Sequence, residues 1–245
     1  MYGILCATPE ELAAVRGRLE LAGAPEQVGP TRVWTGRHAG APVVLAQCGI
    51  GKVNAAAAAT LLLATHGVKA LIFSGVAGGL DPSLEVGSVL LADRLAVHDY
   101  GYVSGARFTP TQSGVIPIGA PTLTAPPPVA PQVAEALRRL QAAVAPRLQR
   151  PVRLGALVTA DYFLNCAETR VRLRENLQAD AIDMESGAVR QVADAWGVDL
   201  YVIRTLSDLA GDDSHLTYPQ MAALAAQTSA LCVPELIDIL QSQIE

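Results

Sequence analysis

The chain has 245 residues, 51% of them hydrophobic and only 17% charged, with a formal net charge of −5. That is ample apolar material for one large core and carries no signature of disorder. The acidic balance argues against a nucleic-acid partner, which needs a basic face to neutralise phosphates.

YGILCA (2–7) reads as a strand buried on both faces, followed by helix spacing from Glu10 to Leu19. TRVWTG and APVVLAQC, separated by RHAG, read as a hairpin. Lys52 to His66 is an Ala/Leu-rich helix closed by Gly67. ALIFSG is another buried strand, and the GVAGGL after it reads as a glycine-rich turn. GSVLLADRLAVHD is strand again. Residues 100–131, rich in Gly, Pro, Thr and Ser, read as one long loop. A helix over Val129–Ala145, the strand VRLGALVTA, a helix over Glu168–Asn176 and the strand DAIDMES come next. A helix over Ser186–Trp196, the strand LYVIRTLSD and a closing helix over Pro219–Gln243 complete the chain. This alternation predicts an α/β fold, a mostly parallel sheet covered by helices, in a single domain over 1–245.

No uninterrupted apolar run reaches the ~18 residues of a spanning helix. The first residues, MYGILCATPEE, lack the basic segment of a signal peptide. No membrane contact is expected, and the expected compartment is the cytoplasm. The four cysteines (Cys6, Cys48, Cys166, Cys232) and four histidines (His38, His66, His98, His215) are dispersed, without C-x-x-C or metal-ligand spacing. No metal and no cofactor is expected; Cys6 and Cys48, beside apolar strands, read as small hydrophobes. The arginines between Arg138 and Arg174 read as a solvated face.

In open α/β sheets ligands bind beyond the carboxyl ends of the strands, and the polar residues of this chain gather there. Five strand ends supply Glu11, Asp161, Asp183, Glu185, Arg204, Asp208 and the glycine segment. Each has a local alternative. Thr8-Pro9-Glu10-Glu11 fits a capping box, with Glu11 at the third helical position, so cap and catalytic base stand equal for Glu11. GVAGG is not a dinucleotide fingerprint and CGIGK is not a P-loop. Ser207-Asp208 fits a helix cap, and the MES segment fits an ion-pair partner for Arg204. Asp183 and Glu185, two apart at a strand end, are expected on one side, a costly arrangement unless something binds them.

In this order, TPEE after the first strand, GIGKVNAAAAATLLL, SGVAGGL, LEVGSVLLAD, HD, DMES and RTLSDLAGDDSHL resemble the 5′-methylthioadenosine/S-adenosylhomocysteine nucleosidases of the nucleoside phosphorylase superfamily. The resemblance runs from about Ile4 to the last helix and is weakest at 100–131. It implies a nucleoside phosphorylase-like, twisted mixed sheet flanked by helices. It also implies hydrolysis of the N-glycosidic bond of adenine nucleosides carrying a 5′-thio group, through an oxocarbenium-like sugar. Such chemistry needs a proton donor at N7 of the base and a base for the attacking water.

By this resemblance Asp208 is the general acid, protonated because a desolvated site raises its pKa, and Ser207 orients it. Glu11 is the water-activating base, and Arg204 helps to hold the water and the acidic groups. Glu185 accepts from the ribose hydroxyls, Met184 packs on the sugar, and Phe163 and Leu164 form the adenine slot. Tyr218 is a candidate for the 5′-thio end, and Asp183 is assigned only a structural hydrogen bond. One departure is Val76, where the family usually carries a small hydroxyl residue near the water or sugar. The change removes one hydrogen bond, roughly 0.5–1.5 kcal/mol. The family is usually homodimeric, and residues 99–120, with Tyr100, Tyr102 and Phe108, are the expected contact.

Three rival functions stand beside this reading. A purine nucleoside phosphorylase needs positive charge for phosphate, which Glu11 would repel. A nucleosidase for a 6-oxopurine or aminopurine intermediate of menaquinone synthesis remains an alternative, although a 6-oxo reader should donate, favouring Asn over the Asp at position 208. A non-catalytic nucleoside sensor has no need of Glu11, Glu185, Arg204 and Asp208 together.

Overall fold

The computed structural model describes residues 1–242. Strand β1 (Tyr2–Cys6) and β6 (Ala70–Gly79) lie side by side at the middle of a 10-stranded sheet. On one flank follow β5 (Ala41–Gln47), β4 (Thr31–His38) and the short β2 (Glu20–Leu21) and β3 (Glu26–Val28). On the other follow β12 (Asp199–Asp208), β7 (Val89–Val97), β10 (Val152–Thr159) and β11 (Ala181–Asp183). The pairs β1–β5, β1–β6, β6–β12, β7–β10 and β10–β11 are parallel. The pairs β7–β12, β6–β11, β4–β5, β2–β4 and β3–β4 are antiparallel. The sheet is thus mixed, less parallel than strand–helix alternation alone suggests.

Helices cover both faces because the strands are apolar on both. Helix α1 (Pro9–Arg16), α3 (Pro131–Val144) and α6 (Ser214–Gln241) pack with Ile4, Ile72, Leu91 and Ile203 in one core. Helix α2 (Lys52–His66) and α5 (Ser186–Trp196) pack with Leu5, Leu71, Phe73 and Val202 in the other. A third, smaller core forms around α4 (Ala167–Leu177), with Leu80, Leu164, Leu173 and Ile182. Cys6 is buried and Cys48 packs against the second core, as small hydrophobes do. At 28 residues α6 is long and apolar enough to cross a membrane by length and composition, yet Ala226, Ala230, Val233 and Ile237 bury its inner face in the core.

Several expected elements differ. The expected turn GVAGG is strand: β6 runs on through Gly79, because bare glycines let neighbouring chains cross it closely. A Cβ on Gly79 would stand 2.8 Å from Leu206 Cδ1. The expected loop at 100–131 contains an antiparallel hairpin, β8 (Gly101–Ser104) with β9 (Arg107–Pro110), turned by Gly105 and Ala106 at positive φ. Two-residue turns of that conformation suit the twist of paired strands. Helix α1 stops at Arg16 rather than Leu19, and α6 starts at Ser214, with Pro219 inside it. Gln243, the expected end of that helix, lies outside the described residues.

Candidate active site

Helix α1 begins at Thr8, whose hydroxyl accepts from Glu11 N while Glu11 Oε2 accepts from Thr8 N at 3.1 Å. The capping box is real. It is also more than a cap: Oε2 takes Ala7 N at 2.7 Å, and Oε1 crosses to β6 to take Val76 N at 2.9 Å. Burial pushes the Glu11 carboxyl up, and Arg204 and those three N–H donors partly oppose the rise. The cap is therefore met by one oxygen of Glu11, while the other reaches beyond it to β6. Val76 meets Glu11 through its backbone, while its side chain packs against the first core.

Arg204 stands opposite Gly75 in the β6–β12 register and is fully buried. Its guanidinium lies over the Phe73 ring at 4.2 Å, a cation–π contact that helps a desolvated charge. Nε and Nη2 donate to Asp183 Oδ2 at 3.0 and 2.7 Å, and Nη2 also reaches Ser186 Oγ at 2.9 Å. Glu185 Oε2 is farther, at 3.6 Å. Burial works against the guanidinium charge, but Asp183, Glu185 and Glu11 outweigh it and hold the pKa up. Asp183, assigned only a structural bond from the sequence, is thus the main partner of Arg204, ahead of Glu185.

Glu185 follows β11 and accepts from Gly51 N at 3.0 Å with Oε1. Burial and the neighbouring Asp183 push its carboxyl up to about 7, against the opposing pull of Arg204. Asp161 does not join this group. It caps α2 instead, accepting from Lys52 N at 2.8 Å.

Asp208 ends β12, buried, with Oδ1 accepting from Ala210 N at 2.8 Å and Oδ2 from Ser207 Oγ at 3.0 Å. Burial raises its pKa, partly opposed by Ala210 N–H and the Ser214 and Ser207 hydroxyls. Ala210 and Ser214 carry no sequence signal of this role, since a backbone donor and a helix-start serine look ordinary. A cavity of about 40 Å³ lies beside Asp208, lined also by Gly78, Phe163, Leu164, Ile182 and Met184. Phe163 meets Tyr218 of α6 edge-to-face, ring centres 5.6 Å apart. Burial, then the carboxylates of Glu11, Glu10, Glu185 and Asp208, push the Tyr218 hydroxyl up, so this ring overlooks the charged group. Leu164 is shared with the third core.

A larger hollow of about 580 Å³ lies under residues 112–127, lined by Gln112, Ile116, Ile118, Leu123 and others, none of them charged. Its volume is that of an ordinary ligand pocket, but the chemistry converges elsewhere.

A mixed sheet of this order with buried acids gathered at its strand ends is the arrangement of an α/β enzyme. The family model described as the phosphorylase superfamily matches residues 1–238. A 5′-methylthioadenosine/S-adenosylhomocysteine nucleosidase of Mycobacterium bovis is 38% identical over 248 residues, 97% of each chain. The nucleosidase of Neisseria meningitidis, in complex with methylthio-immucillin-A, is 27% identical, with a TM-score of 0.82 over 96% of this chain and 97% of that one. A futalosine hydrolase of Helicobacter pylori is 26% identical, also with a TM-score of 0.82, over 97% of each chain. This chain belongs to the phosphorylase superfamily and, within it, to the 5′-methylthioadenosine/S-adenosylhomocysteine nucleosidase family.

Proposed function

We propose that this protein hydrolyses the N-glycosidic bond of 5′-methylthioadenosine and S-adenosylhomocysteine, releasing adenine and the thioribose. One observation supports the site assignment: Glu11 Oε1 and Arg204 Nη1, which has no hydrogen-bond partner among the described residues, both press on the bare Cα of Gly75. A Cβ there would overlap them, 2.1 Å from that Nη1 and 2.5 Å from that oxygen, so the glycine lets carboxylate and guanidinium come together. A water meeting the two would face a carboxylate able to take its proton and a cation able to orient it.

On the leaving-group side, protonated Asp208 donates to N7 while its other oxygen accepts from the 6-amino group; Ser207 orients it. Adenine then leaves as a neutral base, and the electron-poor sugar is attacked by the water that Glu11 deprotonates. Glu185 Oε2 receives the ribose hydroxyls, with Oε1 tied to Gly51 N. Met184 and Tyr218 cover the sugar and 5′-thio end, and Phe163 and Leu164 take the adenine. The 40 Å³ cavity is far below the roughly 300 Å³ of ordinary ligand pockets, so the slot beside Asp208 must widen to admit the base.

Phosphorolysis fits less well. The cation beside Glu11, Arg204, is already matched by Asp183, and Glu11 would repel a phosphate dianion. The shared fold does not separate the adenine nucleosidase from a 6-oxopurine hydrolase; Asp208 favours the adenine reading, since a protonated Asp can accept from a 6-amino group.

The reading extends to a homodimer. Val103, Phe108, Ile116 and Ile118 of the 101–127 excursion leave apolar side chains exposed, as do Ile50 and Val53 at the start of α2. Apolar surface of that extent on a folded chain calls for a cover, and a second copy supplies the same surface. Adenine release assayed with both nucleosides, with and without phosphate, tests the function. Equal rates are expected; a requirement for phosphate would replace hydrolysis by phosphorolysis.

A further inference from the structure

We infer that Asp183 is a positioning residue for the reaction, holding Arg204 so that its Nη1 is aimed beside Glu11 Oε1 over the bare Cα of Gly75. The inference rests on the reading of Glu11 and Arg204 as the pair that holds the water.

The geometry is that of a fully used acceptor. Asp183 Oδ2 takes Arg204 Nε and Nη2 along one edge of the guanidinium, at 3.0 and 2.7 Å. It also takes the Ser186 hydroxyl and Ser186 N, the latter at 3.1 Å. Oδ1 takes the Thr159 hydroxyl at 2.5 Å. Thr159 in turn accepts from Gly187 N at 2.8 Å, which locks β10 to the first turn of α5. A guanidinium is planar, so fixing one edge fixes the direction of the remaining nitrogen. That nitrogen is Nη1, buried and without a hydrogen-bond partner among the described residues. An unpaired buried donor is costly, and here it lies against the bare Cα of Gly75, where Glu11 Oε1 also approaches. Arg204 alone, with rotatable bonds and no Asp183, has no reason to leave Nη1 rather than Nη2 free.

The second effect is electrostatic. The groups facing Glu185 are Asp183 beside it, Arg204 on β12, Glu11 on α1, Cys48 after β5 and Tyr218 on α6. After burial, Asp183 is the largest contributor to the raised Glu185 pKa. Neutralising Asp183 should let Glu185 ionise at lower pH, and should leave Arg204 freer to stabilise it.

The test is steady-state adenine release from 5′-methylthioadenosine across pH for wild type, Asp183→Asn, Ser186→Ala and Glu11→Gln. Asp183→Asn keeps the shape and removes the charge. Its kcat should fall at least tenfold, and the acidic limb of kcat/KM should move to lower pH. A merely structural role would lower thermal stability and leave that limb in place. Ser186→Ala keeps the charge but removes one bond to Asp183 and one to Arg204. Its kcat should fall several-fold with the limb unmoved, and it carries the test if Asp183→Asn does not fold. Wild-type kcat in Asp183→Asn, an unmoved limb in it, or unaltered kcat in Ser186→Ala overturns the inference. If Glu11→Gln is impaired while those variants behave like wild type, only the role of Asp183 fails. If Glu11→Gln turns over normally, the water-holding pair is wrong and the inference falls with it.

Discussion

At the carboxyl ends of β1, β6, β11 and β12 the fold buries Glu11, Asp183, Glu185, Arg204 and Asp208, none more than 5% exposed. In the excursion from 101 to 127 it does the reverse, leaving Val103 70% and Ile116 and Ile118 81% exposed. Each region places residues where their chemistry is unfavourable. The charged region offsets the cost internally, by pairing Arg204 with Asp183 and by giving Glu11, Glu185 and Asp208 backbone N–H donors. What it leaves over is small and directed: the Nη1 amino group of Arg204 and the free lone pairs beside it. The apolar region has no partner among the described residues, and its exposed surface is broad and undirected. The contrast means that the polar region can be tested by chemistry and the apolar one by assembly.

The largest expected effect falls on the charged region. Asp208→Asn keeps size and shape but loses the proton for N7, so adenine release should drop by roughly 10²–10⁴. The ratio of 6-oxo to 6-amino nucleoside turnover should rise, because the amide donates where the acid accepted. Retained adenine activity and preference in this variant would remove Asp208 from the mechanism. Gly75→Ala comes next. Its methyl would overlap Arg204 Nη1 and Glu11 Oε1 and force them apart, and displacement on that scale costs on the order of 10² in rate. Near-normal turnover would mean that the close approach of these two groups does not matter to the reaction.

A smaller effect follows from Glu185, which must be ionised to accept the ribose hydroxyls. With its carboxyl pushed up to about 7, kcat/KM should show an acidic limb, falling as pH drops through that value, apart from any decline at higher pH from loss of the Asp208 proton. A profile flat to pH 5 would count against the assignment. The exposed region should respond least in chemistry and most in assembly. Ile116→Asp with Ile118→Asp should shift light scattering from dimer to monomer and alter kcat modestly; an unchanged mass would place the contact elsewhere.

How much of this was legible depended on whether a signal was local. Helices α2 and α5 matched from end to end, because Gly67 and Gly197 close them in the left-handed conformation. The site was legible as a convergence of acidic residues at strand ends, since alternation fixes which ends meet. GVAGG misled because glycine marks turns in local sequence, whereas here it permits close crossing: a Gly78 Cβ would stand 3.1 Å from Asp208 Oδ1. The hairpin at 101–110 was hidden by the Gly, Pro and Thr around it, although SGAR between two short runs is a turn signal. The partners of Asp183 were hidden for a deeper reason. Thr159, Ser186 and Arg204 come from three elements, and no spacing in the chain encodes their meeting.

Glu11 is where the account is most exposed, because its capping bonds alone would explain its presence. The decisive measurement is adenine release by Glu11→Gln in phosphate-free buffer, alongside calorimetric binding of a non-hydrolysable substrate analogue. Glutamine offers one oxygen to the N–H groups of the cap and so retains much of that role, but it cannot take a proton from water. Binding should stay within a few-fold of wild type while turnover falls by roughly 10²–10⁴. Turnover close to wild type, with binding intact, would reduce Glu11 to a helix cap and contradict the mechanism.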